Sequence, residues 1–241
     1  MRQIWVITKR ELNAFFGSLM AYIMIVAFLG FSGFFTWLYG ADVFFLGQAS
    51  MQSFFSVAYW SLFFFIPALT MRMIAEEKRS GTIEMLITKP VSDWQIVMGK
   101  FLSILLLIGI TLALTLPYYF TIWKIGPIDH GAVWTGYLGL LLMSAAYISI
   151  GLFTSSITNN QIIAFLLALF IGVFFHIIFD VLASGMSGFM ARLFDYLSLS
   201  THYSSVTRGV VDSRDIIYFL SIIFFALLGS EAVLAKRNIT R

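Results

Sequence analysis

From His130 to Phe179 the chain runs for fifty residues without an aspartate, glutamate, lysine or arginine. As a single α-helix this stretch would measure about 75 Å, more than twice the roughly 30 Å hydrocarbon core of a bilayer. It has to fold back, and the only polar interruption is TSSITNNQ, Thr154–Gln161. A turn there leaves two helices, about Ala132–Phe153 and Gln161–Leu182, each long enough to span a membrane. A soluble core of 241 residues could not cover so much apolar side chain: 60% of the residues are hydrophobic, 26 are Phe and 11% are charged. An ordinary soluble domain carries about 25% charged residues. The fold class that follows is an all-α polytopic membrane protein.

Residues 12–41, 43–71 and 101–123 are also free of charge. They supply spans at about Ser18–Tyr39, Phe54–Met73 and Lys100–Ile122, the last bent near its outer end by Pro117. A further span at about Ile216–Ala235 brings the number of transmembrane helices to six. The first hydrophobic run follows a charged segment and has no small-residue cleavage site, so it reads as a retained span rather than a signal peptide. Six spans put both termini on one side. Eleven of the fifteen lysines and arginines lie on that side, in the N-terminal segment, the 72–100 loop and the tail. Lys124, Arg192, Arg208 and Arg214 lie on the other. By the excess of positive charge in cytoplasmic loops, both termini are expected in the cytoplasm.

Residues 1–241 read as one transmembrane domain with three non-spanning pieces. In residues 1–16, Arg2, Lys9 and Asn13 form one helical stripe, with Ile4, Thr8, Leu12 and Phe15 opposite. That pattern predicts an amphipathic interfacial helix, although Glu11 intrudes on its apolar face. Residues 183–215 predict short or re-entrant helices near the outer surface, too few to bury a core of their own. The third piece is the stretch AEEKRSGTIEMLITKP, residues 75–90, which places six charges between two uncharged runs.

Most catalytic chemistry is missing. There is no cysteine, hence no thiolate nucleophile, disulfide or cysteine-bound metal. Gly99–Lys100 lacks the upstream glycine and the following Ser or Thr of a phosphate-binding loop, so the chain carries no ATPase motif. His130, His176 and His202 are scattered, which argues against a metal or hydrolase site. His176 and Asp180 stand at i and i+4 near the outer end of span five and are candidates for a translocation path. The plainer reading places Asp180 at the outer interface and leaves His176 bonded to a neighbouring helix. Ser144, Ala145, Ser149 and Gly151 give span four a small-residue face, which more often means close helix packing than a pore.

A loop that only anchored topology would account for the lysines of residues 75–90 but not for Ile83, Met85, Leu86 and Ile87. Gly81 and Lys89–Pro90 are breaks, and Ser92 with Gln95 forms a capping-box pattern that opens the next helix. A short surface helix between Gly81 and Pro90, with apolar side chains and a single acid, Glu84, reads as a docking element.

The stretch MRMIAEEKRSGTIEMLITKPVSDWQIVMGKF, residues 71–101, resembles the hallmark of ABC-2-type transporter permeases, in which such a loop links spans two and three. LSLSTHYSSVTRGVVDSRDIIYFLS, residues 197–221, resembles a second block of the branch containing the gliding-motility-associated permease. The resemblance implies a permease subunit, not itself an enzyme, in an exporter-type ABC transporter. The loop would carry the cytoplasmic coupling helix that docks on a separate ABC ATPase subunit, present in two copies. Its contact residues would be Glu76, Glu77, Gly81, Thr82, Glu84, Met85 and Leu86. A second permease chain, identical or homologous, would complete the complex in the lipid bilayer. ATP and magnesium would be bound by the ATPase, with no cofactor in this chain, and no nucleic acid is implied. The rival reading is a secondary transporter or channel driven by ion gradients. It calls for carboxylates or broken helices near mid-bilayer, where Asp180 comes nearest.

Overall fold

The computed structural model describes residues 2–39, 47, 49–82 and 91–239. Among the described residues all regular structure is helical. Helix α1 (Arg2–Gly17) precedes α2 (Leu19–Trp37), the first span. The second span, α3 (Gln52–Thr70), passes through a four-residue turn into the short α4 (Ala75–Arg79). The third consists of α5 (Asp93–Ala113) and α6 (Leu116–Ile125), and the fourth is α7 (His130–Ile157). The fifth joins α8 (Gln161–Val173), a π turn (Phe174–Ile178) and α9 (Phe179–Gly185). Two short helices, α10 (Phe189–Leu197) and α11 (Leu199–Thr207), lead to the sixth span, α12 (Ser213–Ile239). Among the described residues, six helical segments are thus long and apolar enough to cross a bilayer.

Local chemistry sets the boundaries. The Ser92–Gln95 capping box is formed: the Gln95 N–H donates to Ser92 Oγ at 3.3 Å, and the Ser92 N–H to Gln95 Oε1 at 3.2 Å. Pro117 opens a new helix instead of bending an old one, because a ring without an N–H fits the first turn of α6. The uncharged fifty residues do fold back within the polar patch. The Asn160 side chain accepts from the Ile162 N–H at 2.9 Å and starts α8. Before it, α7 continues to Ile157, a turn beyond the expected Phe153.

Helix α7 is the centre of the bundle, with α3, α5, α8, α11 and α12 packed around it. Lipid tails are as apolar as leucine, so burial alone does not hold spans together. Close backbone approach and interhelical hydrogen bonds must. The small-residue face of α7 provides the approach: Ser144, Ala145, Ser149 and Gly151 are all buried. A Cβ at Gly151 would come within 2.1 Å of Thr70 Oγ1 on α3. The hydrogen bonds are there too: Thr115 with Tyr137 at 2.9 Å, Tyr118 to the Leu29 carbonyl at 3.2 Å, and Tyr147 to the Ala168 carbonyl at 3.3 Å. Phe31, Phe64, Ile162 and Phe225 are exposed on the periphery, as expected of side chains bathed in lipid.

Candidate functional site

At the end of span two three elements meet: α1, the turn from α3 into α4, and the start of α5. The turn is fixed by a residue far along the chain. Ser155 Oγ accepts from the Ile74 N–H at 3.1 Å and the Ala75 N–H at 3.0 Å, and donates to the Met71 carbonyl at 3.0 Å. A side chain of α7 thereby satisfies the orphan donors that open α4. The Lys78 ammonium donates to the Ser156 carbonyl. Helix α4 ends at Gly81, whose φ of +70° places it in the left-handed region. A Cβ there would meet nothing within 4 Å, so glycine serves the backbone angle and not space. Thr82 stands just beyond the break, its hydroxyl 2.8 Å from that of Ser80.

Below this turn lies an ion-pair node. Lys100, about two turns into α5, has a side chain only 1% exposed. Its Nζ is 2.7 Å from Glu77 Oε1 of α4 and 3.3 Å from Glu11 Oε1 of α1. Arg10 pairs with Glu11 and reaches Glu77 Oε1 at 3.4 Å. Two cations and two anions from three elements therefore neutralise one another. Burial pushes the Glu11 carboxyl up, but the Lys100 ammonium and the Arg10 guanidinium outweigh it and hold the group below the ordinary carboxylate range. The arrangement requires α1 to cross α5 closely. Gly99 allows this, since a Cβ there would fall 2.6 Å from Ile7 Cγ2, and Thr8 Oγ1 donates to the Gly99 carbonyl at 3.2 Å. The Arg72 guanidinium lies 5.1 Å from the centre of the Phe15 ring and adds a cation–π contact between α1 and the turn. A cleft of about 350 Å³ opens among these groups, lined in part by Glu11, Arg72, Glu76, Thr82 and Lys100.

The expected site residues therefore divide. Glu76, Gly81 and Thr82 are exposed at the break, whereas Glu77 turns inward to Lys100. Glu84, Met85 and Leu86 lie outside the described residues. Sequence reasoning passed over Glu11, Gly99, Lys100 and Ser155. The trace that would have found the node is the acid on the apolar face of α1, which needs a buried cation, beside a lone lysine inside the start of a span.

The structure places His176 and Asp180 in different surroundings despite their i, i+4 spacing. The intervening π turn spaces residues differently from an α turn. His176 is buried, with Nδ1 3.1 Å from the Gly172 carbonyl and its ring against Tyr59, Phe63 and Tyr147; Asp180 is exposed.

Among the described residues, six helical segments able to span a membrane pack into one bundle, and a short helix at the end of span two is tied into it. Residues 41–234 match the family model described as ABC-2 family transporter protein, and the chain belongs to that family. No curated protein matches the chain.

Proposed function

We propose that this chain is the membrane-spanning permease subunit of an exporter-type ABC transporter, and that residues 75–90 dock on a separate ATPase subunit. The observation that carries this reading is the fixed geometry at the end of span two. Ser155 ties the turn to span four, and Lys100 ties α4 to span three and α1. A force applied beyond Gly81 therefore reaches three elements of the bundle together. Two permease chains, identical or homologous, would work with two ATPase subunits, which bind ATP and magnesium. The α1 end and both termini face the cytoplasm in this arrangement, with the chain in a bacterial cytoplasmic (inner) membrane. The block at residues 197–221 supports the gliding-motility branch and a role in surface motility or envelope export.

Glu84 and Leu86 would enter an interface with the ATPase. Glu84→Lys and Leu86→Asp should leave the permease abundant in the membrane and abolish copurification of the ATPase, or uncouple hydrolysis from transport. Removing one partner of a buried charge pair costs about 2–5 kcal/mol at an interface. Exposed Arg79→Gln serves as the mild comparison. Normal recruitment and transport in both acidic-site and apolar-site variants would refute the docking assignment.

A further inference from the structure

The sequence sets Ile4, Thr8, Leu12 and Phe15 on the apolar side of α1, but the protein itself covers much of that side. Ile7 packs on Ile96 of α5, Thr8 donates to the Gly99 carbonyl, and the Phe15 ring lies under Arg72. Ile7, Thr8 and Phe15 are buried, so contact with lipid falls to other side chains of α1. At about 100° per residue, Arg2, Trp5, Lys9 and Phe16 fall within about 60° of one another on a flank of the helix. Trp5 is 60% exposed, and Arg2 and Lys9 are exposed. No acid among the described residues pairs with either cation.

Two contacts give this flank its direction. The Phe16 ring meets Tyr22, one turn inside span one, edge-on at 6.0 Å. Ala14, on the side of α1 opposite Trp5 and Phe16, lines the cleft towards α4. The flank therefore faces the bilayer side of the helix. Beyond Phe16 the exposed apolar surface continues along α2 through Leu19, Tyr22, Ile23 and Val26, at the i, i+3, i+4, i+7 spacing of one helix face. In a membrane span that face meets lipid, so the flank of α1 extends a surface that the bilayer already covers. Tryptophan is suited to the headgroup level, and long basic side chains reach from there to phosphates. Arg2 and Lys9 stand on either side of Trp5, about 10 Å apart along the helix axis. We infer that this flank is a binding site for anionic phospholipid in the leaflet at the α1 end. Trp5 lies among the headgroups, and Arg2 and Lys9 hold their phosphates. Two unpaired cations favour lipids of net negative charge over zwitterionic ones.

The chain has no cysteine, so a single bimane-labelled thiol can report on the flank in the full-length permease. Trp5→Cys places the label between the two cations, and Ala14→Cys, also exposed, places it on the opposite side. Nanodiscs would hold phosphatidylcholine and phosphatidylglycerol in one fixed ratio, with bromine on the acyl chains of one lipid or of the other. At position 5, brominated phosphatidylglycerol should quench about threefold or more as strongly, per molecule, as brominated phosphatidylcholine. At position 14 neither should quench. Adding Arg2→Gln and Lys9→Gln should make the two lipids equal at position 5; a preference that survived would overturn the role of these cations. Absence of quenching at position 5 by either lipid would overturn the site, whether water, a second copy of this chain or another protein occupies the flank. Equal quenching by both lipids with Arg2 and Lys9 intact would overturn the selection of anionic headgroups.

Discussion

Lys100 has almost no contact with solvent, and its charge is balanced by acids that arrive from two other elements. Removing one member of such a set leaves charges buried without a partner, which costs about 3–5 kcal/mol. Lys100→Met should therefore lower the melting temperature of the purified permease sharply. Lys100→Met combined with Glu11→Gln should recover part of the loss, because one orphaned charge is gone. The pH dependence has a definite sign. The folded Glu11 carboxyl titrates below its ordinary value of 4.5, so the stability it contributes is present above that value and is lost as pH falls through the lower, folded one. Melting temperature plotted against pH should drop in that acidic range. Glu11→Gln should flatten its share of the drop, and an identical slope in that variant would remove Glu11 from the account.

At the scale of elements, the turn between α3 and α4 is held by one hydroxyl from α7. Ser155→Ala would leave the Ile74 and Ala75 N–H groups unsatisfied in a buried corner, a loss of about 1–3 kcal/mol. Hydrogen exchange should show those two amides losing protection while the middle of α3 stays protected. Gly81→Val forces a branched side chain into the left-handed region, at about 1–2 kcal/mol, and should misdirect the chain beyond it. ATPase copurification would fall in this variant and fall less with Gly81→Asn. The sequence made some of these elements readable and hid others for physical reasons. The break at Gly81, the capping box at Ser92 and the fold-back near Asn160 were legible because each depends on neighbours within a few residues. Ser155 and Lys100 were not, because the amide Ser155 caps lies 80 positions away and the acids Lys100 pairs with lie 23 and 89 away. Nor was the π turn, whose sequence FFHII reads as ordinary span. Charge pattern likewise marked Glu76 and Glu77 as equivalent, and only the ion pair from Lys100 of α5 to Glu77 distinguishes them.

For the whole molecule, orientation and assembly are the open tests. Single thiols replacing Asp129 and Val210 should react with an impermeant reagent outside intact cells, whereas thiols at Glu76 and Asn159, all four positions being exposed, should not. Reversed labelling would overturn the cytoplasmic placement of the α1 end. Particles of the active complex should contain two permease chains, and an active particle with one would refute the paired arrangement. The ion-pair node also has a consequence in time. Glu11 leaves the ribosome 89 residues before Lys100. At about 5–20 residues per second, its acid waits roughly 4–18 s for its buried partner Lys100. During that interval Glu11 has only the neighbouring Arg10 on its own helix as a cation, and the buried contacts of α1 with α5 cannot form. The node then closes only when span three enters the bilayer, which makes the locking of α1 a late event in biogenesis, dependent on an insertion step far downstream of its own synthesis.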